Sequence, residues 1–380
     1  MLKSILFSPL KIRGIEIPNR FMRSATYEAL SDDFGLPKPI LKKEMEKLAD
    51  GEVGLIVPGY VYPIKHGKAN KFQCGMTNLQ EAQSWKSTIN YVHKKGSKII
   101  FQVCHAGIKA KPDDIGIATP IGASGILPET RDMTNSEIEE TIESFIQAAL
   151  RLQSVGADGI QIHAAHGYLL SAFLSPYMNR RTDKWGGSAE NRLRIVSEIA
   201  TSIRKAVSSD FVISIKINGN DHIDGGVTPD LAAAYIRDLP MIDQFEISCG
   251  VNLGTCYSTR AILSKEDIAR FFPKDKVELV SQRKIAKYEN AHNLAAAKRI
   301  HELVPEANLA LVGGLREVSD MEKIVNDGIA SMVSLSRPFL REPYLVRDIR
   351  KGNVKKPSCK NCALCLAGLA VGRAKCWNWS

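Results

Sequence analysis

Short, nearly continuous apolar runs recur along the chain, separated by longer stretches in which apolar residues return every three or four positions. The runs lie at residues 20–25 (RFMRSA), 54–59 (GLIVPG), 98–103 (KIIFQV), 159–164 (GIQIHA), 211–217 (FVISIKI), 244–249 (QFEISC), 309–314 (LALVGG) and 332–337 (MVSLSR). Brief apolar runs without alternation predict parallel strands covered by helices. The helical period is clearest from Ser136, where Ile138, Ile142, Phe145, Ala149 and Leu152 share a face and Glu137, Glu139 and Glu140 fill the first turn. It returns from Ser188 to Val207, where Ile195, Ile199, Ile203 and Val207 are the apolar positions. Eight strands alternating with helices predict an α/β fold, a (β/α)8 TIM barrel over residues 1–350, with a short cysteine-containing C-terminal extension over 351–380. A doubly wound sheet fits less well, because no G-x-G-x-x-G follows the first strand. Residues 250–290 read as an insertion after the sixth strand.

One stretch breaks every period. His163 to Arg192, HAAHGYLLSAFLSPYMNRRTDKWGGSAENR, leaves the fourth strand with two histidines, a tyrosine and a glycine pair. His163 and His166 cannot point the same way from a regular strand, so the chain must bend, and Gly167 makes the bend plausible. Two neutral imidazoles there can donate to one substrate oxygen, and Tyr168 can supply a proton. A metal pair is the competing reading, but no nearby Asp or Glu completes a ligand set. Arg181, Asp183, Trp185, Gly186, Gly187, Glu190, Asn191 and Arg192 read as scaffold, with Ser188 a cap for the next helix.

The other candidates also fall at strand exits, where barrel enzymes build their sites. Lys216 ends an apolar strand, so its charge must meet the barrel mouth or a buried carboxylate; at the mouth it could stabilise a cofactor that becomes anionic on reduction. Gln102 carries an amide that can both donate and accept, which suits an imide edge such as that of a flavin. Gly313-Gly314-Leu315-Arg316 and Ser336-Arg337 follow the seventh and eighth strands, a common phosphate position, with a tight turn and a surface ion pair as the plainer alternative.

Composition narrows the class further. With 380 residues, 44% hydrophobic and 24% charged, the chain is of ordinary globular type. The net charge of +10 is scattered, without a block of five or six basic residues, so no nucleic-acid partner is expected. No apolar run is long enough for a membrane span, and no export signal opens the chain; a cytoplasmic protein with no membrane partner, acting on a small molecule, is expected. Eight cysteines then imply reduced thiols rather than a disulfide framework. Four of them, Cys359, Cys362, Cys365 and Cys376, read C-x-x-C-x-x-C-x10-C, a spacing that suits zinc or an iron–sulfur cluster as well as a reduced set packed on the barrel.

Taken together, HAAHGYLLSAFLSP with NRRTDKWGGSAENR resembles the Old Yellow Enzyme family of NADH:flavin oxidoreductases. PNRFMRSAT, FQVCHAG, LVGGLR and SLSRPFLREP extend the resemblance over about residues 5–350. It implies a barrel carrying non-covalent FMN, reduced by NADH or NADPH, that passes hydride in a ping-pong cycle to an activated alkene such as an α,β-unsaturated carbonyl compound. It further implies that Ser24, Ala25, Thr26, Gly59 and Gln102 line the flavin, with Lys216 in place of a more usual arginine, and that Gly314, Ser336 and Arg337 hold the phosphate. His163 and His166 would orient the substrate oxygen and Tyr168 would be the proton donor; no metal is assigned, and a homo-oligomer is expected. Tyr27 stands where many members have Thr or Cys, and Ala29 where some have Tyr, so the pocket wall differs. Two alternatives remain: the flavin unit of iron–sulfur dienoyl-CoA reductases or amine dehydrogenases, whose cysteine spacings are slightly longer, and a tRNA-binding flavoprotein.

Overall fold

In the computed structural model, which describes residues 4–262, 265–273, 277–278 and 284–378, eight parallel strands close into a barrel. They are β1 (Phe21–Arg23), β2 (Leu55–Ile56), β3 (Lys98–Val103), β4 (Gly159–Ala164), β5 (Val212–Asn220), β6 (Gln244–Cys249), β7 (Leu309–Val312) and β8 (Met332–Leu335). Each pairs with its sequence neighbours, and β8 closes on β1 through Val333↔Phe21 to Leu335↔Arg23. Each apolar run became a strand; β1, β2, β7 and β8 end before their runs do, where the chain turns into the mouth, whereas β5 continues to Asn220.

Helices cover the outside, as the unbroken apolar runs require. The principal ones are α1 (Pro39–Asp50), α2 (Lys86–Lys94), α3 (Asn135–Ser154), α4 (Ala189–Ala206), α5 (Pro229–Arg237), α6 (Leu294–Leu303), α7 (Val318–Asn326) and α8 (Leu345–Arg350). Thr134 and Glu137 form a reciprocal capping box at the start of α3, satisfying amide groups the helix cannot pair itself. Ser188 caps α4 by accepting from the Asn191 amide.

The barrel interior is layered. At the bottom, Met22, Leu55, Val57, Ile100, Val212, Ala310 and Met332 pack with Ile12 and Ile17 of an antiparallel N-terminal hairpin, Leu10–Ile12 with Ile15–Ile17. That end is an apolar plug, which the sequence reading did not foresee. The upper layer is polar instead, built from Gln102, Gln161, Ser214, Lys216, Glu246 and Ser334, all buried. This contrast places the reactive end at the strands' C-terminal exits.

Between β6 and β7 the chain leaves the barrel, as expected. Cys256–Ala261 pairs in parallel with Ile285–Lys287, and a helix spans Lys265–Phe271; residues 263–264, 274–276 and 279–283 of this insertion lie outside the described residues. The C-terminal extension folds back over it. Leu364 and Ala367 pack with Ile268 and Phe272, the Ile262 amide donates to Asn361 O at 2.9 Å, and the Ala374 amide donates to Glu28 O at 3.0 Å. Insertion and extension together roof part of the barrel mouth.

Candidate active site

Under that roof lies a cavity of about 870 Å3, a size that suits a cofactor with a small substrate. Its wall includes Ser24, Ala25, Thr26, Gln102, His163, His166, Tyr168, Lys216, Gly314, Ser336 and Arg337, brought together from six of the eight strand exits. Gly59 is the exception. It is not on the wall; a Cβ there would stand 2.1 Å from Glu28 Oε2 and 2.7 Å from Thr26 O, so the missing side chain lets the β1 and β2 exits approach each other.

Strand β4 delivers the histidines. His163 lies beside Lys216 of β5, in register, and is 3% exposed. Its ring centroid is 5.1 Å from that of His166 and 5.2 Å from that of Tyr168. The required bend is present: His166 has φ +66° and Gly167 φ +70°. A left-handed histidine needs outside support. The Asn218 side chain accepts from its amide at 3.2 Å, and Lys109 Nζ donates to its carbonyl and to Val251 O at 2.6 Å each. His166 Nε2 is 2.7 Å from Ser248 Oγ, whereas His163 Nδ1 is buried without a partner. Burial, then neighbouring positive charge, holds both imidazoles well below their ordinary pKa, so both are neutral. Burial likewise pushes the Tyr168 phenol up, and desolvation brings the Lys109 ammonium down to about 8.

Lys216 answers both alternatives posed for it. It reaches the cavity wall, and it is paired: Nζ is 3.2 Å from Glu246 Oε2 and donates to Ser24 Oγ at 2.7 Å. Glu246 also accepts from Ser24 Oγ and Ser334 Oγ at 2.7 Å each and from Gln161 Nε2 at 3.0 Å. Gln161 in turn accepts from Gln102 Nε2 at 2.7 Å. Gln102 is thus fixed by a chain of buried polar groups, its carbonyl oxygen still open to a ligand. Glu246 escaped the sequence reading, although a single acid in the apolar run QFEISC was a visible signal.

At the opposite side, Gly313 and Gly314 have φ +124° and +71°. A Cβ on Gly313 would come within 2.8 Å of His292 Nε2, and one on Gly314 within 2.4 Å of Glu289 O. His292 Nε2 and Arg337 Nη1 are both buried without a partner, and Thr26 Oγ1 lies 2.7 Å from Ser336 Oγ. Thr26 Oγ1 donates to Ser24 O and His292 Nδ1 faces Glu289 O at 3.4 Å, so the free donor of this corner is the Arg337 guanidinium, which beside a bare backbone turn can pair with a phosphate dianion. The residues present therefore fit FMN. His292 was missed because it follows the insertion and belongs to no apolar run.

The scaffold portion of the loop stays off the wall. Arg181 pairs with Asp183 at 2.5 Å and donates to Met133 O, and Trp185 is buried with Nε1 donating to Asn135 Oδ1 at 2.9 Å. Tyr27 and Ala29, the two unusual positions, do line the cavity. Cys365 reaches it too, whereas among the described residues no three His, Cys, Asp or Glu side chains are arranged to hold a metal.

Comparison with known proteins agrees with this architecture. The model of the NADH:flavin oxidoreductase / NADH oxidase family matches residues 5–356. An NADPH dehydrogenase of Geobacillus sp. (strain WCH70) is 31% identical over 350 residues, which cover 90% of this chain and 93% of the relative. An NADH oxidase of Thermoanaerobacter brockii is 29% identical over 97% of this chain but only 54% of the relative, so this chain spans about half of that protein's length. Among solved structures, a 2-naphthoyl-CoA reductase in complex with 2-naphthoyl-CoA superposes with TM-score 0.81 at 26% identity, covering 94% of this chain and 54% of the other.

Proposed function

This chain belongs to the NADH:flavin oxidoreductase / NADH oxidase family, and from that premise we propose that it is an FMN-dependent NAD(P)H oxidoreductase that reduces an activated alkene such as an α,β-unsaturated carbonyl compound. Ser24, Ala25, Thr26, Gln102 and Lys216 would hold the flavin ring system, and Gly314, Ser336 and Arg337 its phosphate. Bound FMN would supply the two-electron chemistry, accepting hydride from NADH or NADPH and passing it to the oxidant.

The observation that carries the reading is the cluster of His163, His166 and Tyr168, neutral and buried within a cavity whose separate corner is formed by Gly314, Ser336 and Arg337. A neutral imidazole has one N–H. If Ser248 Oγ donates to His166 Nε2, the proton of His166 sits on Nδ1; His163 has Nδ1 unengaged. Two such N–H groups can polarise a carbonyl oxygen without adding charge, and the nearby Tyr168 hydroxyl can protonate the carbon α to it. No membrane or nucleic-acid partner enters this reading; a homo-oligomer in the cytoplasm fits it, and among the described residues no helix is long and apolar enough to cross a membrane.

A second reading is favoured by the chain's coverage of only about half of several relatives and by Cys365 at the cavity wall: a flavin unit of an iron–sulfur reductase or amine dehydrogenase. One experiment separates the two. Protein purified without oxygen is assayed for FMN, iron and zinc; one portion is reduced with NADH or NADPH and mixed in stopped flow with an enone or a dienoyl-CoA thioester, and another is mixed while oxidised with a tertiary amine. Rapid reoxidation by the enone in iron-free protein is expected; reduced protein that no enone reoxidises would sink the alkene-reductase reading.

A further inference from the structure

Tyr168 does not meet the cavity alone. The β2 exit is pinned by Val57 N donating to Arg23 O and Val61 N donating to Gln102 O, and this directs Tyr60 at the same wall. The Tyr60 hydroxyl lies 3.2 Å from that of Tyr168 and accepts from Asn70 Nδ2 at 2.8 Å. The Tyr60 ring packs 5.7 Å from Tyr168 and 6.2 Å from His163. A phenol has a single proton. With Asn70 donating into the Tyr60 oxygen, the Tyr60 proton is directed at Tyr168, and the Tyr168 proton is left to face the cavity.

We propose that Tyr60, oriented by Asn70, is a positioning residue that aims the Tyr168 hydroxyl and stabilises the phenolate formed when Tyr168 gives up its proton. The inference rests on Tyr168 being the proton donor. In that step the Tyr168 O–H bond breaks, a C–H bond forms at the substrate α-carbon, and the electron pair of the broken bond stays on the Tyr168 oxygen. Water entering through the mouth returns the proton. A hydrogen bond to a phenolate is stronger than one to a phenol, so the Tyr60 contact tightens as the proton leaves, which is the requirement for accelerating a step. The same bond draws the Tyr168 phenol down against the larger upward push of burial.

The test uses FMN-loaded Tyr60→Phe, Asn70→Asp and Tyr168→Phe proteins. Phenylalanine keeps the ring and loses the donor; aspartate keeps the shape and claims the Tyr60 proton for itself. Hydride transfer from bound NAD(P)H should be unchanged in Tyr60→Phe. Reoxidation by an enone should slow about tenfold to a hundredfold in Tyr60→Phe and in Asn70→Asp, the usual cost of losing one hydrogen bond to a charge, with a larger solvent isotope effect than in the unaltered protein. Independently of turnover, the Tyr168 ring-carbon resonance of 13C-tyrosine-labelled, FMN-free protein should move in Tyr60→Phe. Unchanged reoxidation in Tyr60→Phe and Asn70→Asp, beside a slow Tyr168→Phe, would overturn the inference and leave the donor assignment standing. A Tyr168→Phe protein as fast as the parent would overturn both.

Discussion

The single imidazole shows how burial sets both chemistry and stability. His163 and His166 are held below the ordinary imidazole value first by desolvation, then by nearby positive charge from Lys216 and Lys109, with His166 acting on His163 as well. The unfolded chain binds a proton at each near pH 6.5 while the folded chain does not. Their contribution to stability is therefore complete above about pH 6.5 and is lost as pH falls below it, toward the depressed folded values. Replacing His163 by Asn removes one proton from that difference. The stability gap between parent and His163→Asn should shrink by about 1.4 kcal/mol per pH unit below pH ~6.5, measured by urea unfolding of the FMN-free proteins at three pH values; parallel pH curves would refute it. The partner of Lys216 was legible at this scale and went unread. FVISIKI and QFEISC each carry one charge of opposite sign in an apolar strand, and consecutive barrel strands pair in register, so Lys216 and Glu246 had to meet. Gln161 and His292 had no such pattern, because they act through neighbours that only the closed barrel supplies.

For elements, the barrel strands were the most legible part, because burial on both faces writes itself as unbroken apolar runs. The N-terminal hairpin was not, since three-residue strands carry too few positions to show alternation. The insertion was located but not resolved into its strand pair, whose residues are mostly half-buried and carry no period. The bend after β4 was foreseen from His163 and His166, and its geometry makes a sharp demand on one residue. A Cβ on Gly167 would stand 2.2 Å from Val251 O and 2.9 Å from Lys109 Nζ, on a backbone with φ +70°. Gly167→Ala should thus cost about 2 kcal/mol or more, part from the left-handed conformation and part from displacing the Lys109 tether. It should also release His166, so that thermal unfolding shifts down and affinity for a carbonyl ligand falls together. Normal stability with normal ligand affinity would mean that the bend does not hold His166 in place.

At the level of the molecule, the distribution of charge says what can enter. The chain carries +10, yet among the described residues no Asp or Glu lines the cavity, while Lys71, Lys109, Lys111, Lys284 and Arg337 do. The buried Glu246 sits below the wall and is already matched to Lys216. Part of this wall comes from the insertion and the extension, which is why composition alone, with basic residues scattered along the sequence, could not reveal the asymmetry. A mouth lined by one sign of charge focuses the field and draws in ligands of the opposite sign. NADPH is such a ligand; a neutral enone is not. The apparent second-order rate of reduction by NADPH should therefore fall on the order of tenfold as ionic strength rises from about 0.01 M to about 0.5 M, since the screening length contracts from about 30 Å to a few ångströms. Reoxidation by a neutral enone should barely respond to the same salt. Equal salt dependence in the two half-reactions would show that salt perturbs the fold or the flavin itself, whereas its absence in both would mean that the mouth lysines are already neutralised by other groups and do not steer the dinucleotide.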